Sequence, residues 1–154
     1  MNSLIKSATI IDKSSEFHNR TVDILIKNGI ISDISENIKN SKNFKEISYP
    51  NLYVSTGWFD YSVSTGEPGY EERENILNTL SVASKSGFTS IGVQPNTLPL
   101  TEKNTEIEYF KSIAKNSNVN IYPIGVLTKQ SDGKELAELF EMKSAGAIGF
   151  GDYK

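Results

Sequence analysis

Residues 52–71 read LYVSTGWFDYSVSTGEPGYE. The stretch opens as an apolar strand, passes through Gly57-Trp58-Phe59-Asp60 and closes on the turn-forming Glu67-Pro68-Gly69. Strand alternation of period two puts Ser62 and Ser64 on one face, with Tyr61 and Val63 on the other. Two side chains on one face at a strand end can converge on one point. Here both are hydroxyls.

Downstream, strands alternate with helices. Leu52 to Asp60 reads as the first strand, and Tyr70 to Ser86 as a helix. Glu71, Glu72 and Glu74 fall in its first turns, where the dipole favours anions. Ile76, Leu80 and Ala83 form its apolar stripe, and Gly87 stops it. Phe88 to Val93 is a second strand, followed by Gln94-Pro95-Asn96-Thr97-Leu98-Pro99. The next helix spans Thr105 to Asn116, with capping-box spacing at Thr105 and Glu108 and with Ile107, Phe110 and Ala114 inward. Val119 to Leu127 is a third strand. Asp132 to Ala145 is a third helix, with Leu136, Leu139 and Phe140 inward and Gly146 as its stop. Ala147 to Phe150 is a fourth strand, leading to Gly151-Asp152-Tyr153-Lys154.

Repeated strand–helix units argue for a parallel sheet with right-handed crossovers. Four such strands are half of an eight-stranded barrel, whose full length is about 250 residues. The chain of 154 residues is therefore read as a piece of a longer protein. The alternative is a compact four-stranded α/β domain, but its last strand would be left as an uncovered edge.

Upstream, residues 1–51 form a separate unit. Leu4 to Ile11 and Thr21 to Lys27 alternate as strands, and Asn28-Gly29 is a two-residue hairpin signal leading into Ile30 to Ile34. Phe44 to Tyr49 adds a short strand, and a small antiparallel sheet is expected.

The composition excludes several classes. A net charge of −3 gives no reason to expect nucleic acid or an anionic membrane. No stretch reaches the ~20 apolar residues of a membrane span, and the start lacks a leader's apolar region, so a cytoplasmic protein is expected. There is no cysteine, hence no disulfide or thiolate site, and the single histidine, His18, lies in a loop of the small sheet.

The 52–71 stretch resembles the first-strand signature of the dihydroorotases, in the amidohydrolase superfamily: Gly-x-x-Asp-x-His-x-His-x-Arg-x-Pro-Gly. Gly57, Asp60, Pro68 and Gly69 match, with Glu67 directly before the Pro-Gly pair. Ser62 and Ser64 stand at the positions of the two metal-binding histidines, and Gly66 at that of the substrate-binding arginine. Gln94 to Pro99 resembles the family's Met-Pro-Asn-Thr-x-Pro loop, which makes Asn96 the implied substrate-binding residue; the plain reading is a turn asparagine. Gly149 to Lys154 resembles Phe-Ser-Asp-Asp-Gly, which makes Asp152 the one candidate metal ligand. Asp60, by contrast, reads as a structural carboxylate holding loop amides.

The resemblance implies an α/β fold: residues 1–51 as a small β domain and 52–154 as the first half of a metal-dependent-hydrolase (β/α)₈ barrel. It implies zinc-dependent interconversion of carbamoyl-aspartate and dihydroorotate, in pyrimidine biosynthesis. Neutral serine is a poor ligand for a divalent cation, and a serine without a paired base is a weak nucleophile. The expectation is thus a dihydroorotase-like protein with impaired or absent catalysis that binds no zinc through this chain. Histidines at 62 and 64 with arginine at 66 would be the matching reversal. The second expectation is a non-catalytic scaffold for aspartate carbamoyltransferase. A homodimer is the other expected assembly. A metal-free hydrolase with a rebuilt pocket is the third reading.

Overall fold

The structure is a computed structural model and describes residues 2–153. It divides into two compact units, Met1–Thr56 and Gly57–Lys154.

The first unit is a five-stranded sheet of β1 (Ser3–Ile11), β2 (Thr21–Lys27), β3 (Ile30–Ser35), β4 (Lys45–Ile47) and β5 (Tyr53–Ser55). The expected hairpin is present: Lys27 pairs with Ile30, and Asn28 and Gly29 both take positive φ, 54° and 78°. That left-handed pair matches the right-handed twist of the strands it joins. The sheet is mixed rather than antiparallel, because β4 and β5 both pair with β1 in parallel. A two-residue turn forces antiparallel pairing, whereas long polar loops let the chain return in the same direction. Ile10, Val22 and Ile24 form the core, with Phe17, Ile26, Ile34 and Val54 packed against it.

Asp23 is buried beside this core and is an ion-pair partner of Lys6. It also accepts the N–H of Ser7 (2.9 Å) and of Ile38 (2.8 Å). Ser7 sits at the register shift of β1 with a left-handed φ of 53°. His18 lies in the loop between β1 and β2 and is half-buried, and its Nδ1 accepts the Asp12 N–H at 3.1 Å.

The second unit is a four-stranded parallel sheet of β6 (Trp58–Val63), β7 (Phe88–Val93), β8 (Asn120–Gly125) and β9 (Gly149–Phe150), in sequence order. Helices α1 (Ile76–Lys85), α2 (Asn104–Ala114) and α3 (Leu139–Ala145) form the three crossovers. Parallelism brings all four C-terminal strand ends to one edge of the sheet. The core joins Ile76, Leu80 and Ala83 of α1 to Ile91, Val93, Phe110 and Ile121. A second cluster gathers Ile107, Val126, Ala137, Met142 and Ala147.

Four local expectations need correction. The strand expected over Leu52 to Asp60 is two strands, β5 in the first sheet and β6 in the second. The first helix opens at Ile76, where Asn75 caps it by accepting the Asn78 N–H at 2.8 Å. The glutamates at 71, 72 and 74 therefore precede it. α2 begins at Asn104, and Glu106, rather than Glu108, reaches back to the Lys103 N–H at 2.8 Å. α3 is half the expected length, and Leu136 and Phe140 are 64% and 84% exposed. Ala137 and Met142 fill the core in their place. Backbone pairing with residues 127–129 claims residues 135–137: Ala137 N–H bonds to Leu127 O and Lys129 N–H to Glu135 O. Gly146, at φ 112°, ends the helix as expected. Among the described residues, no helix is long and apolar enough to cross a membrane.

Candidate functional site

The end of β6 carries an irregularity. Asp60 pairs with Ile91 and Val63 with Val93, so three steps along β6 match two along β7. One extra residue lies in β6, which is a β-bulge. Gly92 is opposite it, and a Cβ there would stand 2.9 Å from both Tyr61 Cα and Tyr61 O. The Ser62 N–H is taken by Asp60 Oδ1 at 2.9 Å, in keeping with the structural reading of that carboxylate. Strict alternation does not survive the bulge. Val63 packs on the core, whereas Tyr61, expected on the same face, is 71% exposed.

Beyond the bulge, the side chains of the β6 and β7 ends pair across the strands. Gln94 Nε2 donates to Ser62 Oγ at 3.2 Å, and Asn96 Nδ2 donates to Ser64 Oγ at 2.7 Å. Gln94, at the start of the loop that contains Asn96, carries no motif signal of its own. Asn96 Oδ1 is buried, with no partner among the described residues. The two loops that follow repeat one device: buried Thr65 donates to Glu67 O and buried Thr97 to Pro99 O, both at 2.8 Å. They are joined by Leu98 N–H to Pro68 O at 2.9 Å.

Gly66 is sealed by backbone. A Cβ there would lie 2.1 Å from Tyr70 O and 2.6 Å from Glu74 O. The turn is closed by Tyr70 N–H to Gly66 O at 2.7 Å. A side chain at this position would have to displace backbone. Adding Gly66→Arg to histidines at 62 and 64 would break the turn before it restored a guanidinium.

Asp152 lies at the β9 end of the same edge, and both its oxygens are engaged. Oδ1 accepts the N–H groups of Leu127 (3.1 Å) and Thr128 (2.9 Å), and Oδ2 accepts the Thr128 hydroxyl (2.7 Å). The structure brings Ser62 and Ser64 together with Gln94 and Asn96; it ties Asp152 to the loop after β8. His18 belongs to the other unit.

The donor set does not suit zinc. Ser62 and Ser64 are neutral and spend lone pairs on amide N–H groups, and Asp152 is bound to backbone. Among the described residues, no group of three or more His, Cys, Asp or Glu side chains is placed to hold a metal ion. What the row offers is neutral: hydroxyls still able to donate, and amides able to donate and accept. A cleft of about 260 Å³ runs between α1 and the sheet, lined by Asp60, Ser64, Glu74, Thr79, Phe88 and Ile91 among others. Another cleft, about 380 Å³, lies at the C-terminal ends of α1 and α2, by Lys85 and Asn116. That is the side on which strands begin, away from the serine row.

A family model described as dihydro-orotase-like matches residues 52–154. The chain belongs to the dihydro-orotase-like family. Over 153 residues it is 36% identical to a dihydroorotase of a Thermoanaerobacter species and 35% identical to one of Pelotomaculum thermopropionicum. Each match takes in 99% of this chain and 35% of the relative. The chain thus spans about a third of the length of the curated dihydroorotases it matches. Among solved structures, L-hydantoinase (dihydropyrimidinase) from Arthrobacter aurescens superposes with a TM-score of 0.78 at 22% identity. That match covers 97% of this chain and 32% of the hydantoinase. A dihydroorotase crystal structure superposes at 0.64 with 13% identity, covering 97% of this chain and 41% of that one. At these identities the superpositions speak for the fold alone: a small sheet followed by half of an amidohydrolase barrel.

Proposed function

We propose that this chain is the N-terminal part of a dihydroorotase-like protein that keeps the family's scaffold but has impaired or absent hydrolysis of dihydroorotate. One observation carries the reading. The two side chains at the positions of the family's metal-binding histidines are serines, each accepting a hydrogen bond from a side-chain amide of the loop after β7. Opening a cyclic amide needs an activated water, and water left to itself has a pKa near 15.7. Neither serine has a base within its own set of hydrogen bonds to make it a nucleophile. Asn96 stands at a position suited to an amide-rich ligand, and its proposed role is recognition rather than chemistry.

The test is dihydroorotate turnover and metal content, measured on the protein that carries this segment beside a relative with both histidines. Little turnover and no stoichiometric zinc are expected. Turnover at ordinary enzymatic rates, about 1 s⁻¹ or more, would refute the reading. The second reading, a scaffold for aspartate carbamoyltransferase in cytoplasmic pyrimidine biosynthesis, draws on the same combination of kept fold and lost ligands. Co-purification with the transferase tests it.

A further inference from the structure

We infer that Asp152, at the position where the resemblance places a metal ligand, is the positioning residue of the loop between β8 and α3. The inference rests on the reading above only in taking this edge of the sheet as the site. It otherwise stands on the loop itself.

The loop is closed by a relay. Asp152 accepts the main-chain N–H groups of Leu127 and Thr128 and the hydroxyl of Thr128. Thr128 is buried, and its oxygen accepts the Gly133 N–H at 2.8 Å. One carboxylate at the end of β9 therefore fixes both ends of residues 127–133. Between those ends the backbone is held in an unfavourable conformation. Gln130 and Ser131 are consecutive non-glycine residues in the left-handed region, at φ 54° and 52°. Such residues persist only where their surroundings over-determine them. Ser131 is also 6% exposed, with a buried Oγ that has no partner among the described residues. A segment with both features would relax if nothing restrained it. Charge-assisted bonds to two backbone amides can provide the restraint; the one from Leu127 is exposed, and those from the Thr128 amide and hydroxyl are part-buried.

The commitment to backbone also bears on ligation. To bind a cation through Oδ1, Asp152 would have to give up amide donors that hold the loop in shape. The loop is further linked to its neighbour by Gln130 N–H to Glu102 Oε2 at 3.0 Å and Val126 N–H to Thr101 O at 2.9 Å. Asp152 thus shapes this part of the strand-end edge without a metal.

Amide hydrogen exchange on the intact chain tests this. Asp152→Ala is expected to speed exchange at Leu127, Thr128 and Gly133 by at least about tenfold, with Ile24 and Leu25 of the other unit unchanged. Asp152→Asn, which keeps a carbonyl acceptor, should leave Leu127 and Thr128 within about threefold of the native rate. Thr128→Val should expose Gly133 and spare Leu127. If Asp152→Ala does not fold, the contrast between Asp152→Asn and Thr128→Val decides. Native exchange rates at Leu127 and Thr128 in Asp152→Ala, or at Gly133 in Thr128→Val, would overturn the inference. So would saturable one-to-one binding of added Zn²⁺ or Mn²⁺ that Asp152→Asn abolishes. Dihydroorotate turnover by the unaltered protein, with the amides behaving as stated, would sink the proposed function and leave this inference standing.

Discussion

The Tyr109 hydroxyl donates a hydrogen bond of 2.8 Å to Glu67 Oε1, across 42 positions of sequence. The other oxygen of that carboxylate accepts the Ile76 N–H at 2.9 Å, where α1 begins. Glu67 thus joins three things: the loop leaving β6, the first turn of α1, and the flank of α2. The N-terminal amides of a helix have no partner inside the helix, and a carboxylate there complements both the free N–H and the dipole. The glutamate next to the signature's Pro68-Gly69 is used for architecture at the strand ends.

Tyr109 should titrate late as a result. Burial, first, and then the hydrogen bond to Glu67 push its phenol up to about 12. A raised phenol pKa favours the protonated form in the fold, so its stabilisation is full below about 10 and is lost as pH climbs towards 12. In an alkaline absorbance titration, Tyr109→Phe should remove a step near pH 12. Loss of a step near pH 10 instead would contradict the assignment.

Much of this fold is written locally. Asn28-Gly29 permits one kind of turn, and the apolar stripe Ile76, Leu80, Ala83 permits one buried face. The parallel pairing of β4 and β5 with β1 was not legible, because nothing local in a long polar loop tells which way the chain returns. Leu136 and Phe140 have the spacing of a buried stripe but lie exposed. There, backbone pairing and the clamp on Thr128 outweighed periodicity. The serine row was legible from its motif. Its partner Gln94, the bulge and the sealed corner at Gly66 were not, since each depends on what the adjoining strand or turn places opposite.

Asp23 should make the first unit acid-sensitive. Burial opposes its charge, but hydrogen bonds from Lys6 and from the Ile38 and Ser7 amides outweigh it and hold the carboxyl below its usual range. A depressed carboxylate stabilises the fold above its unfolded pKa, near 3.9, and the gain fades as pH falls through the lower folded value. Asp23→Ala would strand Lys6 and the part-buried amides of Ser7 and Ile38, at a cost of about 3 kcal/mol. Urea unfolding followed in the first unit at pH 7 and pH 3 measures both effects. A cost that stays the same at the two values would show that the charge is not what matters.

Ser64 and Asn96 should be coupled, but only modestly. Their bond is short, at 2.7 Å, yet it lies at an exposed position. A double-mutant cycle of Ser64→Ala and Asn96→Ala should return a coupling of about 0.5–1 kcal/mol. Ser62→Ala with Gln94→Ala should return less, since that contact is 3.2 Å. Zero coupling in the first cycle would mean the two side chains do not hold each other.

Gly66 provides the test of whether the substrate corner is vacant or closed. If arginine had merely been deleted, Gly66→Ala would be harmless, because an exposed turn tolerates a methyl group. Here the obstructions are backbone atoms, Tyr70 O at 2.1 Å and Glu74 O at 2.6 Å, and neither can swing aside as a side chain would. The turn's own bond, Tyr70 N–H to Gly66 O, has to give way, and with it the approach to Asn75, the cap of α1. The expected cost of Gly66→Ala is about 3 kcal/mol, the upper end for forcing extra atoms into a packed site. Gly149 is the control: it has nothing within 4 Å of its would-be Cβ, and Gly149→Ala should be nearly silent. Thermal melts of both variants decide the matter, together with Gly66→Arg added to Ser62→His and Ser64→His. The triple variant should melt below the double. A triple variant that melts no lower would show that the turn can open and that the arginine position is still available.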